Sequence, residues 1–368
     1  MGKCLICNNS SSFISNAISV CLNCIRKKPE EALRIVYPTH KISRANFGLP
    51  PEPPRNPNGL ICKRCANNCS IGNGEIGYCG LVKNIDNKLI YLGGTSDKGI
   101  LEWYYDPIPT NCVASWFCPG CTGIGYPKYS YTNGPEFGYY NLAVFYGSCS
   151  FDCLFCQNWH FRNLSKKLYP YISAKELAMK ALQSKVSCIC YFGGDPSTQM
   201  PHCIETSRIA LEESSNRILR ICWETNGNFS RDFALIACKY ALESGGNIKF
   251  DIKAWDENLN KILCGISNKA ALENLKLLGS FYDKRPEVPL ISVSTLLIPG
   301  YIDVEEVENI AKFISSINPS IPYTLLAFYG CYMMKDLPRT SWSLAIKCKE
   351  VASKYLENVM IGNTSLLI

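Results

Sequence analysis

The sequence predicts an α/β protein of six strand–helix units, arranged as a partial (β/α)6 barrel or as an open doubly wound sheet, and preceded by a cysteine-rich region that metal ions hold together. Two observations lead to this fold class. From residue 141 onward, short apolar runs alternate with amphipathic segments six times, and such alternation is typical of a parallel sheet covered by helices. Before residue 141, the cysteines occur in closely spaced groups, which in a reducing compartment indicate metal ligation rather than disulfides.

The chain is predicted to have four parts. Residues 1–30 form a zinc-ribbon-like or rubredoxin-like arm, and residues 31–59 form a proline-rich linker. Residues 60–140 form an auxiliary metal or iron–sulfur region, and residues 141–368 form the barrel. The linker assignment depends on residues 47–59, where the prolines favour a stiff and extended chain.

The composition describes a globular protein without a membrane anchor. Apolar residues make up 47% of the chain and charged residues 19%, which is typical of soluble domains. No apolar run approaches the roughly 20 residues that cross a bilayer, and the N-terminus lacks the apolar core of a secretory signal, so we expect a cytoplasmic protein. The net charge of +7 does not indicate nucleic-acid binding, because metal-bound thiolates would neutralise most of it.

Each strand of the barrel is predicted from a short apolar run, and each helix from the segment that follows it. The predicted strands are 141–148, 186–194, 218–225, 247–253, 290–298 and 322–328. The predicted helices cover residues 173–184, 201–214, 230–243, 256–263, 268–281, 303–317 and 341–356. Chemistry in such folds collects beyond the C-terminal ends of the strands, so the residues at those ends are the candidate site.

Three groups of cysteines precede the barrel. The first has the spacing C-x2-C-x13-C-x2-C and predicts a four-thiolate site for zinc or a single iron; its members are Cys4, Cys7, Cys21 and Cys24. The other two predict an auxiliary 4Fe–4S cluster or zinc site, either as one complete and one open site or with interleaved ligands; they are Cys62, Cys65, Cys69, Cys79, Cys112, Cys118 and Cys121. The scattered remainder are predicted to be small buried apolar residues: Cys188, Cys190, Cys203, Cys222, Cys238, Cys264, Cys331 and Cys348.

A further trio, Cys149, Cys153 and Cys156, follows the first predicted strand with the spacing C-x3-C-x2-C and no fourth cysteine nearby. A structural metal site is closed by four protein ligands, whereas a catalytic site keeps one position open. Three thiolates on one tight loop suit three corners of a 4Fe–4S cluster. The trio therefore predicts a catalytic cluster with one open iron.

The run Cys149-Ser-Phe-Asp-Cys153-Leu-Phe-Cys156 resembles the signature of the radical S-adenosylmethionine (SAM) enzymes. The segment from 141 to about 340 is similar to the activating-enzyme branch of that family, around pyruvate formate-lyase activase, and this resemblance implies the partial (β/α)6 barrel rather than the doubly wound sheet. The resemblance implies that the three cysteines are catalytic ligands of a 4Fe–4S cluster, whose fourth iron is chelated by SAM.

Motifs at the ends of the predicted strands extend the resemblance. Gly-Gly-Asp-Pro at 193–196 resembles the family's Gly-Gly-Glu-Pro, and Glu-Thr-Asn-Gly at 224–227 its Asp-Thr-Asn-Gly. Asp-Ile-Lys at 251–253 resembles its Asp-Leu-Lys, and Leu-Ile-Pro-Gly at 297–300 its apolar-Pro-Gly edge. The resemblance implies these cofactor-binding residues: Phe155, Asn158, Gly193, Gly194, Asp195, Glu224, Asn226, Asp251, Lys253 and Pro299. It also implies a monovalent cation near Glu224 and Asp251.

The implied function is reductive cleavage of SAM to a 5′-deoxyadenosyl radical, which removes hydrogen from a C–H bond. Six strand–helix units leave the barrel open at one side, so we expect a macromolecular substrate, a protein residue as for activating enzymes, and a reductant such as ferredoxin or flavodoxin. Two alternatives stay open: the same radical chemistry on a lipid chain or for carbon–carbon bond formation or methylation, and a non-enzymatic protein that binds zinc and nucleic acid.

Overall fold

The computed structural model describes residues 1–215 and 217–368. The strands are β1 Gly2–Lys3, β2 Ser10–Ser11, β3 Leu60–Ile61, β4 Ser70–Ile71, β5 Val82–Ile85, β6 Lys88–Tyr91, β7 Gly99–Pro107, β8 Tyr140–Tyr146, β9 Tyr171–Ile172, β10 Val186–Gly193, β11 Arg220–Thr225, β12 Ile248–Asp251, β13 Ile291–Leu297, β14 Tyr323–Ala327 and β15 Val359–Gly362. The α-helices are α1 Leu22–Lys27, α2 Pro29–Ala45, α3 Pro119–Thr122, α4 Phe161–Lys167, α5 Ala174–Ala181, α6 Met200–Glu213, α7 Arg231–Ser244, α8 Glu257–Cys264, α9 Lys269–Gly279, α10 Val304–Ile317 and α11 Trp342–Ala352.

A nine-stranded sheet forms the body of the protein, with the order β15-β14-β13-β12-β11-β10-β8-β7-β9. The strands from β8 to β15 on one side of β7 are all parallel, while β7 and β9 add an antiparallel edge. Each parallel strand after β8 pairs on the same side of the strand that precedes it in the parallel series, so the sheet winds in one direction. A doubly wound sheet would instead reverse its order at a switch point. The predicted partial α/β barrel is therefore confirmed.

All six predicted barrel strands are present as β8, β10, β11, β12, β13 and β14. The structure adds a seventh parallel strand, β15, which pairs with β14. Its apolar run, Val359–Ile361, has only three residues and Met360 is exposed, so it is shorter than the runs that mark a buried strand in a sequence. The long antiparallel strand β7 lies in the predicted auxiliary metal region 60–140, and its second half is largely exposed.

The predicted linker 31–59 is corrected over its first half, because residues 29–45 form helix α2. Pro29 occupies the first turn, where a missing N–H costs nothing, and acidic side chains in that turn favour the helix dipole. Pro38 reads as a helix breaker in the sequence; here it lies on the exposed face, opposite the buried residues Val36 and His40. Helix α2 packs against α8 and so belongs to the body of the protein.

The segment from Ile108 to Thr122, called the plug below, enters the partial barrel from its N-terminal end. Trp116 donates its indole N–H to the Thr324 hydroxyl on β14 (3.1 Å), and the Cys112 Sγ lies 3.2 Å from a Glu224 carboxylate oxygen on β11. The plug thus spans the barrel between two separate strands. A protein interior is close-packed, and the plug fills the part that the sheet alone would leave open.

The helices of the described segments 1–215 and 217–368 do not include one that is both long enough and apolar enough to cross a membrane.

Candidate active site

A cavity of about 440 Å³ opens at the C-terminal ends of the parallel strands, within the usual size of a small-molecule site. All the predicted cluster and cofactor residues line it except Pro299: Cys149, Cys153, Cys156, Phe155, Asn158, Gly193, Gly194, Asp195, Glu224, Asn226, Asp251 and Lys253. The Pro299 turn faces the N-terminal arm, since a Cβ on the next residue, Gly300, would come 2.2 Å from the Phe13 carbonyl oxygen. We call this the upper cavity.

The three cysteines lie on the loop that follows β8. The backbone N–H of Phe151 and the side-chain amide of Asn226 approach the Cys149 sulfur at 3.3 and 3.6 Å. The Cys153 sulfur lies 3.4 Å from the sulfur of Cys264, at the end of α8. Burial raises the pKa of the Cys156 thiol to about 11. A metal is therefore needed to hold that sulfur as thiolate at neutral pH.

Asp152, between the first two cysteines of the trio, fixes the loop. Its fully buried carboxylate accepts hydrogen bonds from His40 (2.9 Å), from Ser43 (2.9 Å) and from the Arg162 guanidinium (2.7 Å). Burial by itself raises the pKa of this carboxyl, but His40 and the charges of Arg162 and Arg44 hold the Asp152 pKa well below its usual range. The carboxylate thus links the cysteine loop to α2, the helix that the sequence did not reveal.

Asp195 stands where the resembling family has glutamate, and it joins two strand ends. Its carboxylate accepts hydrogen bonds from the backbone N–H of Asn226 (2.6 Å), the Thr225 hydroxyl (3.1 Å) and the backbone N–H of Ser197 (2.8 Å). Asn226 in turn donates to the Ser150 hydroxyl in the cysteine loop (3.0 Å). Asp195 therefore ties the ends of β10 and β11 to the loop.

Two lysines neutralise two of the three acidic residues of the cavity, Glu224 and Asp251. Lys249 donates to the Glu224 carboxylate at 2.9 Å, and Lys253 pairs with Asp251. Both ammonium groups are largely buried, with exposed fractions of 8% and 14%. Since Glu224 and Asp251 each have a lysine partner, these two carboxylates do not by their charge require the monovalent cation expected from the sequence.

The glycines at the end of β10 serve backbone packing. A Cβ on Gly194 would come 2.0 Å from the Ser148 carbonyl oxygen, and Gly193 has φ +110° with Tyr146 backbone 2.5 Å from its Cβ position. Side chains at both positions are excluded. The turn therefore packs directly against the start of the cysteine loop, and both glycines also line the upper cavity.

The upper cavity fits a 4Fe–4S cluster with SAM. It offers three thiols and both signs of charge, and two of its lining residues, Gln157 and Arg162, carry buried N–H groups (Nε2 and Nε) without a partner among the described residues. A buried donor without a partner costs about 1–3 kcal/mol, so a ligand with acceptor groups, such as a carboxylate, would satisfy them. The residues would hold the cluster through the three cysteines and the cofactor through the strand ends.

The second cysteine group, at residues 62–79, lies against the cysteine loop, the segment that carries Cys149, Cys153 and Cys156. Ser148 donates its hydroxyl to the Cys79 carbonyl (2.8 Å), and Asn67, between Cys65 and Cys69, donates to the Ser150 carbonyl (2.8 Å). Residues Cys62 and Cys69 are joined by a backbone hydrogen bond of 2.9 Å. Any metal held by this group would therefore be a direct neighbour of the upper cavity.

The first cysteine group forms a compact set in the N-terminal arm. The Sγ atoms of Cys4, Cys7, Cys21 and Cys24 all lie within 4.8 Å of one another, as the ligands of a single tetrahedral ion must. The arm is fixed to the barrel by Arg26, which pairs through both terminal nitrogens with Asp303 at 3.0 Å.

Several residues of the upper cavity were missed by sequence reasoning. Lys249 precedes Asp251 by two positions on β12, so both side chains point to the same face of the sheet; that spacing was the available signal. Arg162, from α4, and Asn111 and Val113, from the plug, also line the cavity. They come from segments distant from the strand ends, and the sequence carries no signal for their position.

We expect acid to destabilise the fold through His202 on α6. Its ring is buried between the Tyr146 hydroxyl (2.8 Å) and the Ile172 carbonyl (3.0 Å), and burial lowers the His202 pKa to about 4. The unfolded chain, with a histidine pKa near 6.5, binds the proton first as pH falls. Stability from this residue is thus complete above pH 6.5 and decreases down to pH 4, by about 2 kcal/mol between pH 7 and 5.

Anaerobic urea unfolding at pH 7 and pH 5 measures this effect. The variant His202→Asn should lose about 2 kcal/mol of the wild-type difference between the two pH values, whatever its stability at pH 7. An unchanged pH difference in the variant would contradict the assignment to His202.

Comparisons with known proteins identify a family model and several similar proteins. Residues 143–314 match the family model of the radical SAM superfamily. A protein of Methanocaldococcus jannaschii described as a "putative glycyl-radical enzyme activating enzyme" is 31% identical over 215 residues, 57% of this chain and 76% of the relative. An uncharacterized protein of the same organism is 23% identical over 83% of this chain and 82% of its own length. Streptococcus suis SuiB bound to S-adenosylmethionine superposes with a TM-score of 0.43 at 14% identity, over 58% of this chain and 47% of SuiB.

Proposed function

The chain belongs to the radical SAM superfamily and is an enzyme of that chemistry, and we propose that it abstracts hydrogen from a C–H bond of a protein substrate, as an activating enzyme does. The observation that carries the proposal is the upper cavity. The proposal is supported by its lining, which includes Cys149, Cys153 and Cys156 and all the residues expected to bind the cofactor except Pro299. When bound, a reduced 4Fe–4S cluster and SAM supply a 5′-deoxyadenosyl radical, which is the hydrogen-abstracting species.

The chain's own residues position and shield the reactants. Asn226 and the Phe151 backbone N–H direct hydrogen bonds at the Cys149 sulfur, and Lys253 lies 5.8 Å from the ring centre of Phe155. We assign the charged pairs Lys249–Glu224 and Lys253–Asp251 to binding the amino-acid end of SAM. The aromatic and aliphatic lining, including Phe155 and Leu296, excludes water from the reacting groups.

We propose that the cysteines at 62–79 hold an auxiliary 4Fe–4S cluster that passes electrons from a ferredoxin or flavodoxin to the upper cavity. This proposal is supported by the position of the segment, since Ser148 and Ser150 of the cysteine loop both contact it. In the same scheme residues 1–30 are a metal-binding arm, residues 60–140 the auxiliary metal region and residues 141–368 the catalytic domain. Helix α2 belongs with the catalytic domain.

A macromolecular substrate is supported by the relatives and by the shape of the sheet. The relative of 76% coverage carries the name of an enzyme that activates glycyl-radical enzymes, and the substrate of such an enzyme is a protein. Among the described strands, β15 pairs only with β14 and β9 only with β7. The sheet thus has two free edges, between which a loop of a partner could reach the upper cavity.

Deuterium transfer tests the substrate class. A fully deuterated extract of the organism that carries this chain is divided by size, and each fraction is given to the reduced enzyme with unlabelled SAM. We expect deuterium in 5′-deoxyadenosine with the macromolecular fraction, and its loss when that fraction is first digested with protease. Transfer from the lipid extract would favour the lipid alternative instead, and full transfer from the small-molecule fraction alone would contradict the macromolecular proposal.

We expect zinc in the arm. Replacing Cys7 and Cys21, whose sulfurs lie 3.8 Å apart, with serine removes two of four ligands, and the protein should lose one equivalent of zinc while its iron content stays the same. Elemental analysis of wild type and variant gives both numbers. SAM cleavage should survive, because the catalytic cysteines are on a separate element. Loss of iron rather than zinc would instead mark the arm as an iron site and contradict the assignment.

A further inference from the structure

A second cavity lies below the upper one, towards the N-terminal ends of the strands. We call it the lower cavity. Glu224 and Lys249 line both cavities, so their ion pair forms the partition between them. Six cysteines line the lower cavity: Cys112, Cys118, Cys121, Cys188, Cys190 and Cys222.

Three of these thiols come from neighbouring barrel strands at nearly the same level. Cys190 on β10 is the register partner of Cys222 on β11, and Cys188 is that of Arg220. Side chains two positions apart on a strand share a face, so Cys188, Cys190 and Phe192 all point into the barrel. Phe192 lines the upper cavity and the two cysteines line the lower one.

The other three thiols come from the plug. Cys118 is the N-cap residue of the short helix α3, and Cys121 lies within that helix. Cys112 contacts the partition through Glu224. The turn between them has no room for a side chain, because a Cβ on Gly120 would come 2.9 Å from the Arg220 guanidinium. The Pro-Gly pair thus lets this turn approach the barrel wall closely.

Simple packing of small apolar side chains does not account for the grouping. Cys203, Cys238 and Cys348 match that role, because each is a single buried cysteine on a covering helix. In the lower cavity, six thiols from two separate parts of the chain instead surround one space. Arg220, which lines the cavity and is fully buried, is paired with Glu136 at 2.7 Å.

We propose that the lower cavity holds an iron–sulfur cluster, bound by Cys112, Cys118 and Cys121 of the plug and by one thiolate of the Cys190–Cys222 pair. Thiolates are the ligands of such clusters. A single ion would draw four sulfurs into close mutual contact; within the described residues, only the arm has a group of cysteines with all sulfurs inside 4.8 Å. Sulfurs spread around a cavity suit a cluster, in which each thiolate binds a different iron.

This proposal goes beyond the proposed function and does not depend on it. The two cavities share Glu224 and Lys249, but Cys149, Cys153 and Cys156 line only the upper cavity and the six other thiols line only the lower one. The proposal also gives Cys112, Cys118 and Cys121 a further ligand, a thiol of the barrel wall. The cysteines at 62–79 belong to a different site, because they lie against the cysteine loop at the other end of the strands.

The test uses the full chain, reconstituted anaerobically with iron and sulfide. The parent carries alanine at Cys149, Cys153, Cys156, Cys62, Cys65, Cys69 and Cys79, so that only the lower cavity and the arm retain grouped cysteines. Iron, zinc and acid-labile sulfide are counted per chain, and Mössbauer spectra identify the type of iron. Two variants of the parent follow: Cys112, Cys118 and Cys121 to alanine, and Cys190 and Cys222 to alanine. Cys203→Ala with Cys238→Ala is the matched control.

We expect the parent to retain iron with an equal amount of sulfide and a cluster spectrum. The plug variant and the strand-pair variant should each lose that iron, and the control should keep it. A parent without sulfide, or with zinc alone in the cavity, would overturn the proposal. Full cluster retention in the strand-pair variant would overturn it as well. The parent and the strand-pair variant are sufficient to test the proposal, so the test still holds if the plug variant fails to fold. If the parent does not fold, the same substitutions are made in the wild-type chain, and their losses of iron and sulfide are compared.

Discussion

Replacing Cys149, Cys153 and Cys156 together with alanine is expected to reduce 5′-deoxyadenosine release to the uncatalysed background. Without these thiolates the chain has no ligands for the cluster at the strand ends, and no other cysteine lines the upper cavity among its described residues. The loss should be complete rather than partial, because the electron that cleaves SAM has no other route to it. Chromatography of the nucleoside product, with and without reductant, gives the measurement.

The matched control replaces the same number of buried cysteines elsewhere. Cys203→Ala, Cys238→Ala and Cys348→Ala together remove three thiols from the covering helices. Burial of a small side chain is their whole role, so cleavage should stay within a few fold of wild type even where stability decreases. Iron should fall by one cluster in the catalytic variant and stay unchanged in the control. Turnover in the catalytic variant equal to that of the control would contradict the assignment of the trio.

The change Asp152→Asn is expected to lower the free energy of unfolding by about 3–5 kcal/mol, the usual cost of removing one partner from a buried ion pair. Arg162 would keep its charge in an interior where its exposed fraction is 1%, and His40 would lose its carboxylate partner. The same change frees the cysteine loop from α2, so we also expect slower cluster assembly. Urea unfolding under anaerobic conditions and iron uptake over time measure the two effects.

Asp97→Asn provides the comparison, because Asp97 is exposed and surface substitutions usually change stability by less than about 0.5 kcal/mol. An Asp152→Asn variant as stable as Asp97→Asn would show that the buried network does not hold the loop. Loss of stability with normal cluster assembly would separate folding from loop positioning and contradict the second part of the prediction.

The barrel strands and the residues at their C-terminal ends, which line the upper cavity, were predictable from the sequence for one reason. Buried parallel strands are apolar on both faces and leave runs such as Leu142–Tyr146, and parallel strands bring their C-terminal ends to one edge. Motifs at those ends therefore meet in space even when they are distant in the chain. Asp195 and Asn226 confirm this directly, since they are joined by a hydrogen bond of 2.6 Å.

What the sequence did not reveal depends on register and on contacts between distant segments. Cys190 and Cys222 look like ordinary apolar strand residues until the pairing of β10 with β11 places them side by side. Helix α2 was concealed by Pro38, which is tolerated because it faces solvent. The partner of Glu224 was also out of reach, because Lys249 becomes its neighbour only through the pairing of β11 with β12.

The most direct test of the account is the reaction of the wild-type protein with SAM. The full chain is reconstituted anaerobically, reduced with a strong low-potential reductant, and given SAM alone; methionine and 5′-deoxyadenosine are then counted by mass spectrometry. The account predicts equal amounts of the two products, formed only when the reductant is present. Absence of both products from protein that carries a full complement of iron and sulfide would contradict the claim that the cysteines at the strand ends form a radical SAM site.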